Sequence, residues 1–246
     1  MLQRPIIAIT QARIGSTRLP GKVLREICGK PLLWWHLTRL QRCRLLDGIV
    51  VATTEEPGAD AIAAIARDLG VAVWVGPVDD VLARYQGAAR ASGAAAIVRV
   101  TSDCPLIDPG LVDGLIAAYR DAGVPIDYLS LDVSRLPRGL DAEIFSAALL
   151  EIAAREADDP AEREHVTAFL YRRPGRFHID SLAPAGVDRP GLRLCVDTPA
   201  DFALVTRIVE ALAPRSPNFA WADIASILDD NPEWLQLNAG LHQKSL

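Results

Sequence analysis

The sequence lacks a zinc-type cysteine pattern, a dinucleotide fingerprint, a P-loop and any apolar run of membrane-spanning length. Each absence removes a class of function. Its four cysteines, Cys28, Cys43, Cys104 and Cys195, form no C-x-x-C pair, and no Cys/His spacing matches a zinc site. Four reduced thiols in or near the core are expected, as in a reducing cytoplasm. The start, MLQRPIIAIT, meets glutamine, arginine and proline too early for a secretory signal. No apolar stretch approaches the ~20 residues of a membrane span, so a cytoplasmic protein without membrane association is expected. Positive charge is also short. Lys and Arg number 26 against 31 Asp and Glu, a net charge of −5, which argues against the basic face that nucleic acid requires.

What is present is a rhythm. Short, nearly all-apolar runs at 5–10, 48–53, 71–75 and 95–101 alternate with helical patterns at about 30–43, 57–69, 79–92 and 108–120. Such strands are covered on both faces. The βαβα order predicts an α/β fold, a mostly parallel sheet with helices on either side. The second half is less regular. Residues 125–145 read as two extended pieces around a Pro/Gly loop, and 146–173 as helical with a break near DDPAERE. Runs at 176–182 and 192–196 read as strands, 199–212 as a helix opened by Pro199, and the tail from 217 as an amphipathic helix. Half of the 246 residues are apolar, enough for a sizeable core. With no repeat or low-complexity linker, residues 1–246 are expected to form one domain with a β-rich and helical excursion over about 125–182.

The stretch QARIGSTRLPGKVL, residues 11–24, follows the first strand. That is where open α/β sheets bind ligands. Gly15 and Gly21 let the backbone approach a ligand, while Arg13, Arg18 and Lys22 can meet anionic oxygens beside a nest of backbone N–H groups. A Walker A loop has four residues between its glycines and Ser or Thr after its lysine. Here five residues separate Gly15 from Gly21, and Val23 follows Lys22. The bland alternative is a basic surface loop. Asp103 (VTSDCP) and Asp197 (LCVDTP) are lone acids after apolar runs. Both suit a metal, and both suit a helix cap or turn.

QARIGSTRLPGKVL resembles the signature loop of CTP-using sugar nucleotidyltransferases, the 3-deoxy-manno-octulosonate and acylneuraminate cytidylyltransferases, and most nearly their spore-coat polysaccharide branch. The resemblance runs over about 6–212 and includes VATTEE, DDVLARY, RVTSDCPLID, PRGLDAEIF, EREHVT and VDTPADF. It implies a three-layer αβα nucleotidyltransferase (Rossmann-like) fold, Mg²⁺, and a sugar, of acidic or nonulosonic type, activated by CTP to a CMP-linked product for surface polysaccharide or glycoconjugate synthesis. It also implies a homodimer. By resemblance Asp103 and Asp197 hold the metal, and Arg13 and Lys22 bind the triphosphate. Ala12, Gly15, Ser16, Thr53 and Arg84 contact the nucleotide. Arg84's alternative is a solvated helix arginine. In acylneuraminate enzymes a D-x-D pair precedes the late helix, and Cys195 stands at its first position here. Asp103 in SDCP follows the octulosonate arrangement instead, with Cys104 at a position usually Glu.

Arg138, Asp141, Glu143, Arg163, Glu164 and His165 concentrate charge within the excursion. Of these, Arg138, Asp141, Glu143, Glu164 and His165 are candidates to bind the acceptor sugar, with His165 as a possible general base. The alternatives are a polar helix start capped by Asp159, and a dimer contact. Two other functions remain open at this point: a nucleotide-sugar-dependent glycosyltransferase of related architecture, and a non-catalytic nucleotide-binding protein.

Overall fold

The computed structural model describes residues 5–241. Four parallel strands carry the first half: β1 (Ile6–Gln11), β4 (Gly48–Thr54), β5 (Ala72–Gly76) and β6 (Ala96–Thr101). Three more, β7 (Tyr128–Leu131), β8 (Glu143–Ser146) and β9 (Ile179–Leu182), extend the same sheet in the order β5-β4-β1-β6-β8-β7-β9. Only β8 runs against its neighbours. A two-stranded hairpin, β2 (Glu26–Ile27) and β3 (Lys30–Pro31), stands apart.

Alternation along each strand divides the core into layers. Ile6 and Ala8 of β1, with Ala96, Val98 and Val100 of β6, pack toward α1 (Leu32–Leu40), α4 (Pro109–Asp121), α8 (Pro199–Leu212) and α9 (Trp221–Asp230). Ile7, Ile9 and Ile97 face α3 (Val81–Ser92), α5 (Ala147–Glu156) and α7 (Ala168–Tyr171). Between α3's face and α7 lies the short α6 (Pro160–His165), and α2 (Ala59–Asp68) packs beside α1 over Val51. The result is the expected three-layer α/β arrangement. At the carboxyl edge, β1 leads one way to β4 and borders β6 on its other side. That switch point is where such sheets bind ligands.

Two expectations need correction. Residues 192–196 do not form a strand; the segment makes a single bridge, Arg193 to Arg138. Its L-x-L-x-V alternation reflects burial of Leu194 and Val196 without a ladder to join. Of the four free cysteines, Cys104 and Cys195 are buried, Cys43 is half-buried and Cys28 is exposed, at φ 51° in the β2–β3 turn.

Candidate active site

Three segments meet at the switch point. The first is the loop after β1. Gly21 adopts the left-handed conformation (φ 63°) and starts a 3₁₀ turn, Lys22–Leu24, which only a residue without a Cβ does cheaply. Leu19 and Val23 are buried on either side and anchor the loop. The second segment follows β6 and carries Asp103. It is tied to β1 by Ser102, whose hydroxyl and N–H both donate to the Gln11 carbonyl. His36 from α1 contacts the Cys104 carbonyl through Nδ1 at 2.9 Å.

The third segment carries Asp197. Its backbone is fixed from both sides: Val196 N–H donates to the Asp103 carbonyl (2.8 Å) and Leu194 N–H to the Arg138 carbonyl (2.7 Å). Gly139 makes this crossing possible. It sits at φ 103°, and a Cβ there would lie 2.6 Å from the Cys195 nitrogen. The cap of α8 is Thr198, paired with Asp201 in a capping box. Asp197 is therefore not the cap, and its carboxylate is left for other partners. Behind it, buried Arg193 bridges Asp197 and Asp201, and Asn238 adds a bond to Asp201 at 3.0 Å.

Lys22 joins the three segments. Its Nζ lies 2.7 Å from Asp103 Oδ2 and 2.7 Å from Asp197 Oδ1. Arg18 reaches Asp197 Oδ1 at 3.1 Å. Burial works against the charges of Lys22 and Asp103. For Lys22 it is the largest influence, yet the two carboxylates outweigh it and raise the pKa. Asp103 is likewise desolvated, but the Lys22 charge brings its carboxyl down to about 2. Two carboxylates gathered round one cation suit Mg²⁺, which takes one or two carboxylates and completes its shell with phosphate oxygens and water. Among the described residues no third His, Cys, Asp or Glu joins them. The Cys104 thiol touching Asp103 is held far above its ordinary pKa by burial.

The remaining loop residues are placed less uniformly. Arg13 is exposed and forms no ion pair among the described residues. Ala12 is buried and gives its N–H to the Ala52 carbonyl; Ser16 gives its own to Ile14. Gly15 faces Glu56: a Cβ there would lie 2.6 Å from Glu56 Oε1. Thr53 and Gln11, at the ends of β4 and β1, are turned inward. Thr53 Oγ1 and Gln11 Oε1 are buried without a partner. Arg84 is not the solvated helix arginine of the bland reading. It is buried and donates to the Pro77 and Val78 carbonyls, while its Nε is buried and unpaired.

Across β8 lie the other charged candidates. Arg138 pairs with Asp141 at 3.2 Å. Burial raises the Asp141 pKa, with Arg138 opposing. Glu143 faces Arg99 across the β6–β8 ladder at 2.9 Å and accepts from Thr167 Oγ1 at 2.7 Å. His165 is half-buried and its pKa is lowered by that burial. After it, Val166 takes φ 56°, ψ −61°, with Thr167 N–H on the His165 carbonyl. This is a γ-turn of the rare, strained hand, and such strain concentrates at working sites. Glu164 is exposed. Arg163 is engaged elsewhere, on Asp80, the cap of α3, and α6 is capped by Asp159.

The profile described as "Cytidylyltransferase" matches residues 7–216. The chain belongs to the cytidylyltransferase family. It is similar to the spore coat polysaccharide biosynthesis protein SpsF of Bacillus subtilis, at 31% identity over 93% of this chain and 95% of that protein. It is 41% identical to the 3-deoxy-manno-octulosonate cytidylyltransferase of Geobacter sulfurreducens over 74% of this chain and 82% of the other. A solved cytidylyltransferase from Leptospira borgpetersenii superposes with a TM-score of 0.89 at 31% identity, covering 97% of this chain and 99% of that one. Among the described residues of this cytidylyltransferase, no helix is long and apolar enough to cross a membrane.

Reading the sequence missed Arg193, Asp201, Asn238 and Glu56. The T-x-x-D of the capping box was available in VDTPAD as a signal for Asp201. Nothing local marks Asn238, which arrives from 37 residues beyond Asp201.

Proposed function

We propose that this cytidylyltransferase transfers CMP from CTP to a sugar hydroxyl, giving a CMP-linked sugar and pyrophosphate. The carrying observation is the single ammonium of Lys22 shared by Asp103 and Asp197 at the switch point. In this reading the two carboxylates hold Mg²⁺. When bound, that ion draws charge off the α-phosphorus and the leaving pyrophosphate. Lys22 then turns to the phosphates, where it neutralises developing negative charge with Arg13 and Arg18. Gln11 Oε1 and Thr53 Oγ1, buried and unpaired, supply polar groups at the strand ends for the nucleotide, and Gly15 lets it approach.

The acceptor lies toward β8. Arg138 and Asp141 flank the loop that Gly139 fixes under Cys195, and Arg138 offers a cation to an acidic sugar. Glu143 and Thr167 hold the strained turn that presents His165. Burial lowers the His165 pKa and so favours the neutral form, the state needed to accept the acceptor's hydroxyl proton. The hydroxyl oxygen bonds to the α-phosphorus as the bridge to pyrophosphate breaks. A cytoplasmic homodimer with the 125–182 segment at its contact completes the reading, and sedimentation tests the dimer.

Thermal unfolding tests the nucleotide assignment. With Mg²⁺ present, CTP is expected to raise the midpoint more than ATP, GTP or UTP at equal concentration, since a ligand at a hundredfold excess over Kd contributes about 2.7 kcal/mol. Equal shifts from all four would remove the cytidylyl assignment.

A further inference from the structure

Away from the carboxyl edge, α1 and the chain beyond α8 enclose a cavity of about 160 Å³. One wall is indole. Trp34 and Trp35 stand edge to face at 5.0 Å and 87°. Ala213 and Pro217 close the other side, and Thr38, Arg39, Arg42 and Asn218 complete the lining.

The two arginines are incompletely satisfied. Arg39 is 2% exposed. Its Nε donates to the Ile107 carbonyl (2.7 Å) and its Nη1 to the Phe219 carbonyl (2.9 Å), with the guanidinium 4.5 Å above the Phe219 ring. Its Nη2 is buried with no partner. Arg42 donates through Nη2 to the Asn218 carbonyl (2.7 Å), and its Nη1 is also buried with no partner. Neither forms an ion pair among the described residues. The nearby acids are spent on backbone: Asp108 accepts from Gly110, Leu111 and Trp221, and Asp223 from Ala220. Burial pushes Arg39 down to about 10, with the Asp108 and Asp223 charges opposing the shift and Arg42 adding to it.

The C-terminal ends of α1 and α8 attract cations and account for the arginines' presence. They do not account for two N–H groups left buried and unpaired, which is costly. A water there would accept two bonds but bring no charge to two arginines that form no direct ion pair. An oxyanion answers both needs, since a planar guanidinium fork matches a carboxylate. The rest of the lining is mostly apolar and aromatic, with Thr38 and Asn218 as its other polar residues, and a volume of about 150 Å³ is enough for one benzene ring.

We propose that this cavity is a binding site for a small aromatic carboxylate, its ring against Trp34 and Trp35 and its oxygens on Arg39 Nη2 and Arg42 Nη1. The site is separate from the one holding Asp103 and does not depend on the nucleotide reading. Arg39 also holds Ile107, on the loop beyond Asp103, so an occupant is placed to act on that loop.

The test uses benzoate as probe on the full chain saturated with CTP and Mg²⁺, read by tryptophan fluorescence and by NMR of the indole N–H groups. A saturable response is expected at the Trp34 and Trp35 signals. Benzyl alcohol, which lacks the charge, and inorganic phosphate, which lacks the ring, are expected to bind at least tenfold more weakly. Arg42→Gln should weaken benzoate at least tenfold. Arg42→Lys keeps the charge without the fork; it should weaken binding too, and it serves if Arg42→Gln fails to fold. No saturable response, equal binding of benzyl alcohol or phosphate, or wild-type benzoate affinity in the folded Arg42 variant would overturn the proposal.

Discussion

Asp103 Oδ2 and Asp197 Oδ1 share one ammonium: Lys22 Nζ lies 2.7 Å from each. The carboxylates come from opposite halves of the chain and meet because Val196 lies along the Asp103 backbone. Two carboxylates so close, Asp197 buried and Asp103 half-buried, need a cation between them. Whatever displaces Lys22 must itself be positive.

Removing that cation is the first prediction. Lys22→Ala is expected to lower turnover on the order of 10²–10³-fold, the scale of one preorganised charge-stabilising donor. The Asp103 carboxyl should rise from about 2, visible by carbon NMR titration. Lys22→Arg should not restore full turnover, because a planar fork replaces a point charge. Near-normal activity in Lys22→Ala would return the loop to a structural role.

Isosteric change of the acids separates metal binding from turn chemistry. Asp103→Asn and Asp197→Asn should each abolish metal-dependent turnover, and the double variant should lose little more, since either change dismantles one site. The fold should survive Asp197→Asn, because Arg193 keeps its bond to Asp201 and Thr198 keeps the cap. Additive losses in the double variant would argue for two independent roles.

Gly139→Ala tests the crossing that positions Asp197. The new Cβ would press on the Cys195 backbone, and the left-handed φ is unfavourable as well. A loss of about 1–3 kcal/mol is expected from such overpacking, measured by urea unfolding, together with reduced turnover in the folded fraction. An unchanged midpoint would mean that the segment yields freely.

His36 gives a pH signature. Burial holds its pKa at about 4, below the ordinary 6.5. Between these values the unfolded chain binds a proton that the folded chain refuses. Stability therefore falls as pH drops from about 6.5 to 4, by about 3 kcal/mol at the lower end. His36→Asn keeps a donor for the Cys104 carbonyl and does not titrate, so its stability curve should be shallower over that window. Parallel curves would contradict the buried, neutral imidazole.

Much of this was legible in the sequence. Strands β1, β4 and β6 were readable because both faces are covered, which leaves unbroken apolar runs; β5 at the sheet edge carries the same apolar run although Val75 is exposed. Lys22, Asp103 and Asp197 were readable as isolated charges at strand and loop ends. The LRLCV alternation misled, because burial of alternate residues needs no ladder. The setting of Arg84 was not legible: helical periodicity places its Cα, not the Pro77 and Val78 carbonyls it folds back upon. The Arg193–Asp201–Asn238 network depends on tertiary approach and left little local trace.

The most direct test of cytidylyl transfer follows the α-phosphorus. CTP labelled at that atom is incubated with the protein, Mg²⁺ and 3-deoxy-manno-octulosonate or a nonulosonic acid, and the products are separated. The account predicts label in a CMP-linked sugar, one pyrophosphate per product, and no product from Asp197→Asn. If the protein binds CTP yet no panel of acidic sugars receives label or releases pyrophosphate, the central claim fails.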